Sequence, residues 1–216
     1  MKLKTALFLV MNGFASLTSS MAQSNIIQIS NQQKKVAITY SSAESKLAAE
    51  ILYSYLEKSL PNTFEIKDKN ITKSDAQIIL EIQKNNKELK DQEFILKSNS
   101  QDISLLATNL KSLKYAVYTL LEKWEFRKFT ATVSYIPKPD AFIFPKNFYQ
   151  KYQPTFAYRT LLYPDSYDQA FREWHKLDWF NDDFGLWGHT FDRLVPPKTH
   201  FKTNPKLYAL YEGKRR

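Results

Sequence analysis

The chain has 216 residues, with 31 Lys and Arg against 22 Asp and Glu, which is a formal net charge of +9 at pH 7. It contains no cysteine, so thiol catalysis and cysteine-bound metals are excluded, and its four glycines are too few for a glycine-rich phosphate loop. Basic and acidic residues are interleaved along most of the chain, which is typical of a solvated surface and argues against a nucleic-acid partner.

The first 22 residues have the three parts of a secretory signal peptide. Lys2 and Lys4 give a positive start, the stretch 6–17 is mostly apolar, and Ser20-Met21-Ala22 resembles a cleavage site of small residues. The apolar stretch is shorter than the ~20 residues that a membrane helix needs. We therefore expect cleavage after Ala22, export to the periplasm or the extracellular space, and no stable membrane insertion.

Residues 25–136 predict an N-terminal α/β domain. Short apolar or alternating stretches predict strands at 36–40, 64–67, 76–83, 94–97, 103–107 and 130–136, with a hairpin across 98–102. Ser41 and Glu44 have the spacing of a capping box that starts a first helix, and Asn109 starts a second one. Both helices carry one apolar face, so we expect a small sheet with helices packed on one face.

The prolines that follow predict a linker at 137–153, because proline lacks an amide donor and restricts the residue before it. The remaining chain, residues 154–216, has a strand, helix, strand pattern at 155–159, 166–179 and 184–190. Such a unit predicts a parallel strand pair. A short helix is expected from Asn204-Pro205 to Glu212, with Gly213 ending it.

Two motifs in the last third of the chain carry a family resemblance. Residues 185–197 read Gly-Leu-Trp-Gly-His-Thr-Phe-Asp-Arg-Leu-Val-Pro-Pro, and residues 204–215 read Asn-Pro-Lys-Leu-Tyr-Ala-Leu-Tyr-Glu-Gly-Lys-Arg. Both resemble a family of exported bacterial glycan-degrading proteins, and residues 113–122 resemble the small domain of the same family. The resemblance implies an α/β domain similar to the N-terminal domain of α-glucuronidases and to the second domain of β-hexosaminidases. A (β/α)₈ barrel follows that domain in the family, and some of these barrels are similar to endo-β-N-acetylglucosaminidases.

The resemblance also implies that the barrel is incomplete here. A complete barrel takes ~200–250 residues, so we expect 154–216 to be a truncated start of the barrel domain. The pair of carboxyl groups that a glycosidase uses would belong to a later strand, beyond residue 216. The expected function is therefore the N-terminal part of an exported glycoside hydrolase, inactive as a fragment. The alternatives are a non-catalytic carbohydrate-binding module and a module that supports a partner chain carrying the rest of the barrel.

Four residues are candidates for contact with a carbohydrate: Arg159, Trp187, His189 and Asp192. Arg159 and His189 end predicted barrel strands, where ligand-facing groups collect. His189 either binds a sugar hydroxyl or has a structural role. Arg159 either binds a hydroxyl or a carboxylate of the sugar or has a structural role. Trp187 either stacks on a sugar ring or belongs to the core. Asp192 follows a predicted strand end, whereas the other acids of this half, Asp178 included, are expected on turns and helix surfaces.

No metal or other cofactor is expected. The three histidines, His175, His189 and His200, lack the spacing of metal ligands.

Overall fold

The computed structural model describes residues 25–30, 35–69, 77–179 and 190–215. They divide into two compact units. The first holds the described residues up to Ala157 together with Tyr163–Lys176, and the second holds Tyr158–Leu162 and the described residues from Leu177 onward. The predicted signal peptide lies outside the described residues. Within those residues, no helix combines the length and the apolar character needed to cross a bilayer.

The first unit carries most of the regular structure. Its elements in chain order are β1 (Ile26–Ser30), β2 (Val36–Tyr40), α1 (Ala43–Ser59), β3 (Phe64–Asp68), β4 (Gln77–Ile82), β5 (Phe94–Ser98), β6 (Ile103–Ala107), α2 (Leu110–Lys123), β7 (Arg127–Lys128), β8 (Ser134–Tyr135), β9 (Ala141–Pro145), β10 (Tyr149–Tyr152), a 3₁₀ turn (Pro164–Tyr167) and α3 (Gln169–Trp174). The described part of the second unit has α4 (Phe191–Leu194), α5 (Pro197–His200), a 3₁₀ turn (Pro205–Leu207), β11 (Leu210–Tyr211) and β12 (Lys214–Arg215).

Six strands form one mixed sheet in the order β10-β5-β6-β4-β2-β3. Strands β3, β2, β4 and β6 are parallel, β5 is antiparallel to β6, and β10 is antiparallel to β5. Helices α1 and α2 contact each other and the sheet. The core between them contains Ile38, Ile78 and Leu105 from the sheet and Leu52 and Val117 from the helices. The predicted fold class, an α/β sheet with helices packed on one face, is confirmed.

Both helices start with a polar cap, one of them displaced from the prediction. Asn109 accepts the backbone N–H of Ser112 at 2.9 Å, so the predicted start of α2 is confirmed. Helix α1 begins one residue later than expected. Ser42 accepts the N–H of Ser45 at 3.1 Å, and the Ser45 hydroxyl accepts the N–H of Ser42 at 2.9 Å. The predicted cap residue Glu44 is instead exposed and pairs with Lys84 at 3.1 Å.

The segment 137–153 forms two strands instead of the predicted linker. Strand β9 pairs with β1, and β10 extends the six-stranded sheet beside β5. Phe142 and Phe144 are each 2 % exposed, and the Phe142 ring stacks on Trp124 with centroids 4.7 Å apart. Burial of these alternating aromatic residues outweighs the proline signal, and Pro145 is tolerated because β9 is an edge strand of a two-stranded sheet.

The second half of the chain departs further from its predicted elements. Residues 155–159 form no strand, because the main chain of Arg159 bonds to Asp178 rather than to a neighbouring strand. The helix expected over 166–179 is a 3₁₀ turn followed by the short α3. The helix expected up to Glu212 is reduced to a 3₁₀ turn at Pro205–Leu207. A hairpin begins at Leu210, because Glu212 (φ 47°) and Gly213 (φ 74°) both adopt left-handed conformations that suit a tight β-turn.

Candidate functional site

The backbone N–H and the backbone carbonyl of Arg159 both form hydrogen bonds with Asp178. The N–H of Arg159 donates to Oδ2 of Asp178 at 2.8 Å, and the N–H of Asp178 donates to the carbonyl oxygen of Arg159 at 2.6 Å. Arg159 itself is half-buried. The reciprocal bonds join two stretches of chain that lie 19 residues apart. Arg159 therefore lies in an irregular segment whose position a tertiary contact defines.

Asp178 is the residue that the sequence reasoning missed. Asp178 is only 5 % exposed, whereas the sequence predicted it on a turn or a helix surface. A buried carboxylate is costly unless hydrogen bonds compensate it, and the Arg159 N–H supplies one. One signal could have found it, since Asp178 continues the apolar side marked by Tyr167, Phe171 and Trp174. An acid on that side is a candidate for a buried, partnered group.

Asp192 lies in a different local setting. It is exposed in the single turn of α4, and Thr190, the last residue of the strand expected before it, is the N-cap of that helix. Loss of solvation and the negative charge of Asp192 together raise the pKa of Tyr208. The Tyr208 hydroxyl donates to the carbonyl oxygen of Val195 at 3.1 Å. Asp192 is thus close enough to the Tyr208 phenol for its charge to act on it.

The other two predicted ligand contacts, Trp187 and His189, lie outside the described residues. Their proposed roles stay predictions. Of the four candidates, the structure therefore describes two. Arg159 is hydrogen-bonded to Asp178, and the charge of Asp192 acts on Tyr208.

A second polar cluster surrounds Glu173 in the first unit. One of its carboxylate oxygens accepts hydrogen bonds from Lys114 Nζ at 2.7 Å and from Gln169 Nε2 at 2.9 Å. The other accepts a hydrogen bond from the Tyr118 hydroxyl at 3.4 Å. Burial and the negative charge of Glu173 raise the pKa of Tyr118 well above its usual range. Both carboxylate oxygens are engaged, so this cluster attaches α3 to α2 rather than offering a free acid or base.

The described residues of the second unit bury almost nothing. Asp178 is the only buried residue among 158–162, 177–179 and 190–215. Seven large apolar residues in these ranges are 48–80 % exposed, namely Leu161, Leu162, Phe191, Leu194, Leu207, Leu210 and Tyr211. The described part of this unit therefore has no apolar core of its own.

No group of three or more His, Asp or Glu side chains suited to a metal ion is found in the described ranges.

Comparisons with known proteins found one family model and solved structures that share low sequence identity with the chain. A family model described as a domain of unknown function (DUF4838) matches residues 128–216. A GH20 exo-β-N-acetylglucosaminidase from Vibrio harveyi, solved as an inactive mutant and in complex with N-acetylglucosamine, shares 18 % identity, with a TM-score of 0.42, over 62 % of this chain and 18 % of that one. A GH115 4-O-methyl-α-glucuronidase with specificity for decorated arabinogalactans also shares 18 % identity, with a TM-score of 0.45, over 62 % of this chain and 19 % of that one.

The chain thus spans less than a fifth of the length of these solved structures. No curated protein matches it.

Proposed function

We propose that this chain is the N-terminal part of an exported glycoside hydrolase that acts on O-glycosyl bonds of complex glycans. In this proposal Arg159, Trp187, His189 and Asp192 contact the glycan. The carboxyl groups that carry out hydrolysis are supplied by chain beyond residue 216, so this part alone does not cleave its substrate. The motifs at 185–197 and 204–215 support the class of enzyme by their resemblance to exported glycan-degrading proteins.

The observation that carries the proposal is the exposure of apolar side chains in the described part of the second unit. Each Å² of apolar surface removed from water contributes roughly 25 cal/mol, so large apolar side chains that remain in water favour contact with a covering surface. Phe191 is 80 % exposed and Leu162 63 % exposed. The proposed covering surface for these two side chains is the remainder of a barrel domain.

Arg159 is the binding residue best supported by geometry. Its backbone is bonded in both directions to the buried Asp178. A ligand-binding side chain on an irregular segment needs such support, because ordering the segment at the moment of binding would weaken affinity. The guanidinium is a planar donor of several hydrogen bonds that suits sugar hydroxyls and bidentate contact with carboxylates.

The direct test is binding and hydrolysis by the mature chain, residues 23–216. Glycan-array binding and release of reducing sugar would be measured for the wild type and for Arg159→Ala. We expect binding without release, at least about tenfold weaker binding by Arg159→Ala, and activity only in a longer chain that includes the rest of the barrel.

Arg127→Ala is the control, because Arg127 is an exposed arginine of the first unit and is not among the proposed glycan contacts. Its binding should stay close to that of the wild type. Sugar release by residues 23–216 alone would contradict the proposal that the catalytic carboxyl groups lie beyond residue 216. Failure of every variant and of the wild type to bind any glycan would contradict the binding role.

The same exposed side chains also favour a second candidate, a module that joins a separate partner chain. The two candidates differ in where the covering surface is encoded. Sequencing of the reading frame beyond codon 216, or identification of a second chain that co-purifies in a fixed ratio and confers hydrolysis, distinguishes them.

A further inference from the structure

Positive charge is concentrated in residues 190–215, which we name the basic segment. The basic segment has six cationic side chains against two acids, a formal charge of +4 in 26 residues. The much longer described ranges 35–69 and 77–179 have 20 cationic side chains against 17 acids, a formal charge of +3. The charge density of the basic segment is therefore several times higher.

The lysines of the basic segment also differ in ion pairing from several lysines of the first unit. In the first unit, several lysines pair with carboxylates, for example Lys114–Glu173 at 2.7 Å, Lys151–Glu93 at 2.8 Å and Lys176–Glu122 at 3.1 Å. Among the described residues, no such pair is found for the exposed side chains of Lys198, Lys202, Lys206 and Lys214. Their charge is therefore available to an external anion.

Contacts around Tyr208 gather these cations into one small folded segment. The Tyr208 hydroxyl bonds to the carbonyl of Val195, its ring lies 5.1 Å from that of Phe201, and its own carbonyl accepts Nη1 of Arg215 at 2.7 Å. These bonds connect the end of α4, the turn after α5 and the β11–β12 hairpin. The lysines are carried by α5 and by the turns and the hairpin that follow it, so they share one folded segment.

From this arrangement we propose that the basic segment binds an acidic polysaccharide, one that bears sulfate or carboxylate groups. Clustered unpaired cations attract polyanions and raise the local concentration of an anionic ligand. Tyr211 is 54 % exposed beside the cations of the hairpin, and an aromatic face can pack on a sugar ring. Lysine is seldom buried, so its charge stays at the surface even where neighbouring apolar side chains are covered.

The assignment to a glycan, rather than to another polyanion, rests on the proposed function. Two features of the segment itself favour it over a lipid surface. Helices α4 and α5 have four residues each, so the described segment has no long amphipathic helix of the kind that lies on membranes. The aromatic residue next to the cations suits a sugar ring.

The test compares polyanions directly. Dissociation constants of residues 23–216 would be measured for heparin, polygalacturonate, neutral dextran, a DNA duplex and phosphatidylglycerol vesicles, each at several salt concentrations. The proposal expects the acidic polysaccharides to bind most tightly and to weaken as salt screens the charges. Replacing Lys198, Lys202 and Lys206 together with alanine should weaken this binding at least about tenfold.

The matched control replaces Lys58, Lys87 and Lys97, which are exposed in the first unit, so that the net charge falls equally. Circular dichroism checks that both triple variants are folded. An equal loss in the control, or binding of DNA or vesicles as tight as that of the polysaccharides, would overturn the proposal.

The outcome also separates this inference from the proposed function. Arg159-dependent binding of neutral glycans with no preference for acidic ones would overturn the acidic-polysaccharide inference alone. Absence of binding to every glycan would overturn both.

Discussion

Replacing Trp174 with alanine is expected to detach residues 163–176 from the first unit. Trp174 is 2 % exposed, and its ring lies 5.2 Å from that of Tyr118 and 5.5 Å from that of Tyr55. Truncation of a buried aromatic residue to alanine costs about 3–5 kcal/mol. With an m-value of about 2 kcal/mol/M in urea, the unfolding midpoint should fall by about 1.5–2.5 M. Urea unfolding followed by circular dichroism measures the midpoint, and limited proteolysis read by mass spectrometry measures cleavage within 163–176.

Tyr167→Ala is the control, since Tyr167 belongs to the same stretch but is 67 % exposed. It should change the free energy of unfolding by less than about 0.5 kcal/mol. If the midpoint shift for Trp174→Ala is no larger than that for Tyr167→Ala, and proteolysis is unchanged, the ring contacts with Tyr55 and Tyr118 do not hold the stretch and the argument is refuted.

Two further predictions concern acid stability and export. Burial would raise the pKa of Glu93, but its hydrogen bonds with Lys151 Nζ and the Lys90 N–H, each 2.8 Å, and the positive charge of Lys151 lower that pKa overall. A carboxyl group with a lowered pKa stabilises the folded state at pH values above its pKa in the unfolded chain. This stabilisation is lost as the pH falls through the pKa of the folded state. Glu93→Gln should therefore cost about 1 kcal/mol at pH 7 and flatten the loss of stability towards acid in pH-dependent urea unfolding. The exposed control Glu88→Gln should do neither. For export, intact-mass analysis of the protein from its native host should give a chain that starts at Gln23, and a retained Met1 would contradict the signal-peptide prediction.

Elements whose pattern follows from local burial were predictable. Ile78 and Leu80 are fully buried in β4, where alternation predicted one face of a strand, and Asn109 is a cap because its amide oxygen can reach the N–H of Ser112 whatever the tertiary context. The capping box of α1 was predicted one residue early because Ser41-Ser42 offers two possible caps, and only the burial of Ser45 favours the second.

Elements whose partners are distant in sequence were mispredicted. Phe142 and Phe144 form a strand because β1, more than a hundred residues earlier, supplies the ladder. The irregular segment at Arg159 and the burial of Asp178 depend on each other, and neither shows in a window of neighbouring residues. The glycan-binding role of Arg159 therefore stays a prediction, and the carboxylate that bonds to its main chain was not predicted.

By itself, the sequence determined the alternation of strands and helices, the helix faces, the concentration of positive charge near residues 198–215 and the two motifs at 185–197 and 204–215. All of these depend on residue type and short spacing. Tertiary structure alone decided that 137–153 completes the first unit, that Trp174 packs with Tyr55 and Tyr118, and that Asp178 holds Arg159. The reason is physical. A buried aromatic ring or carboxylate is stabilised by partners from other parts of the chain, and their identity is set by packing and hydrogen bonding in three dimensions.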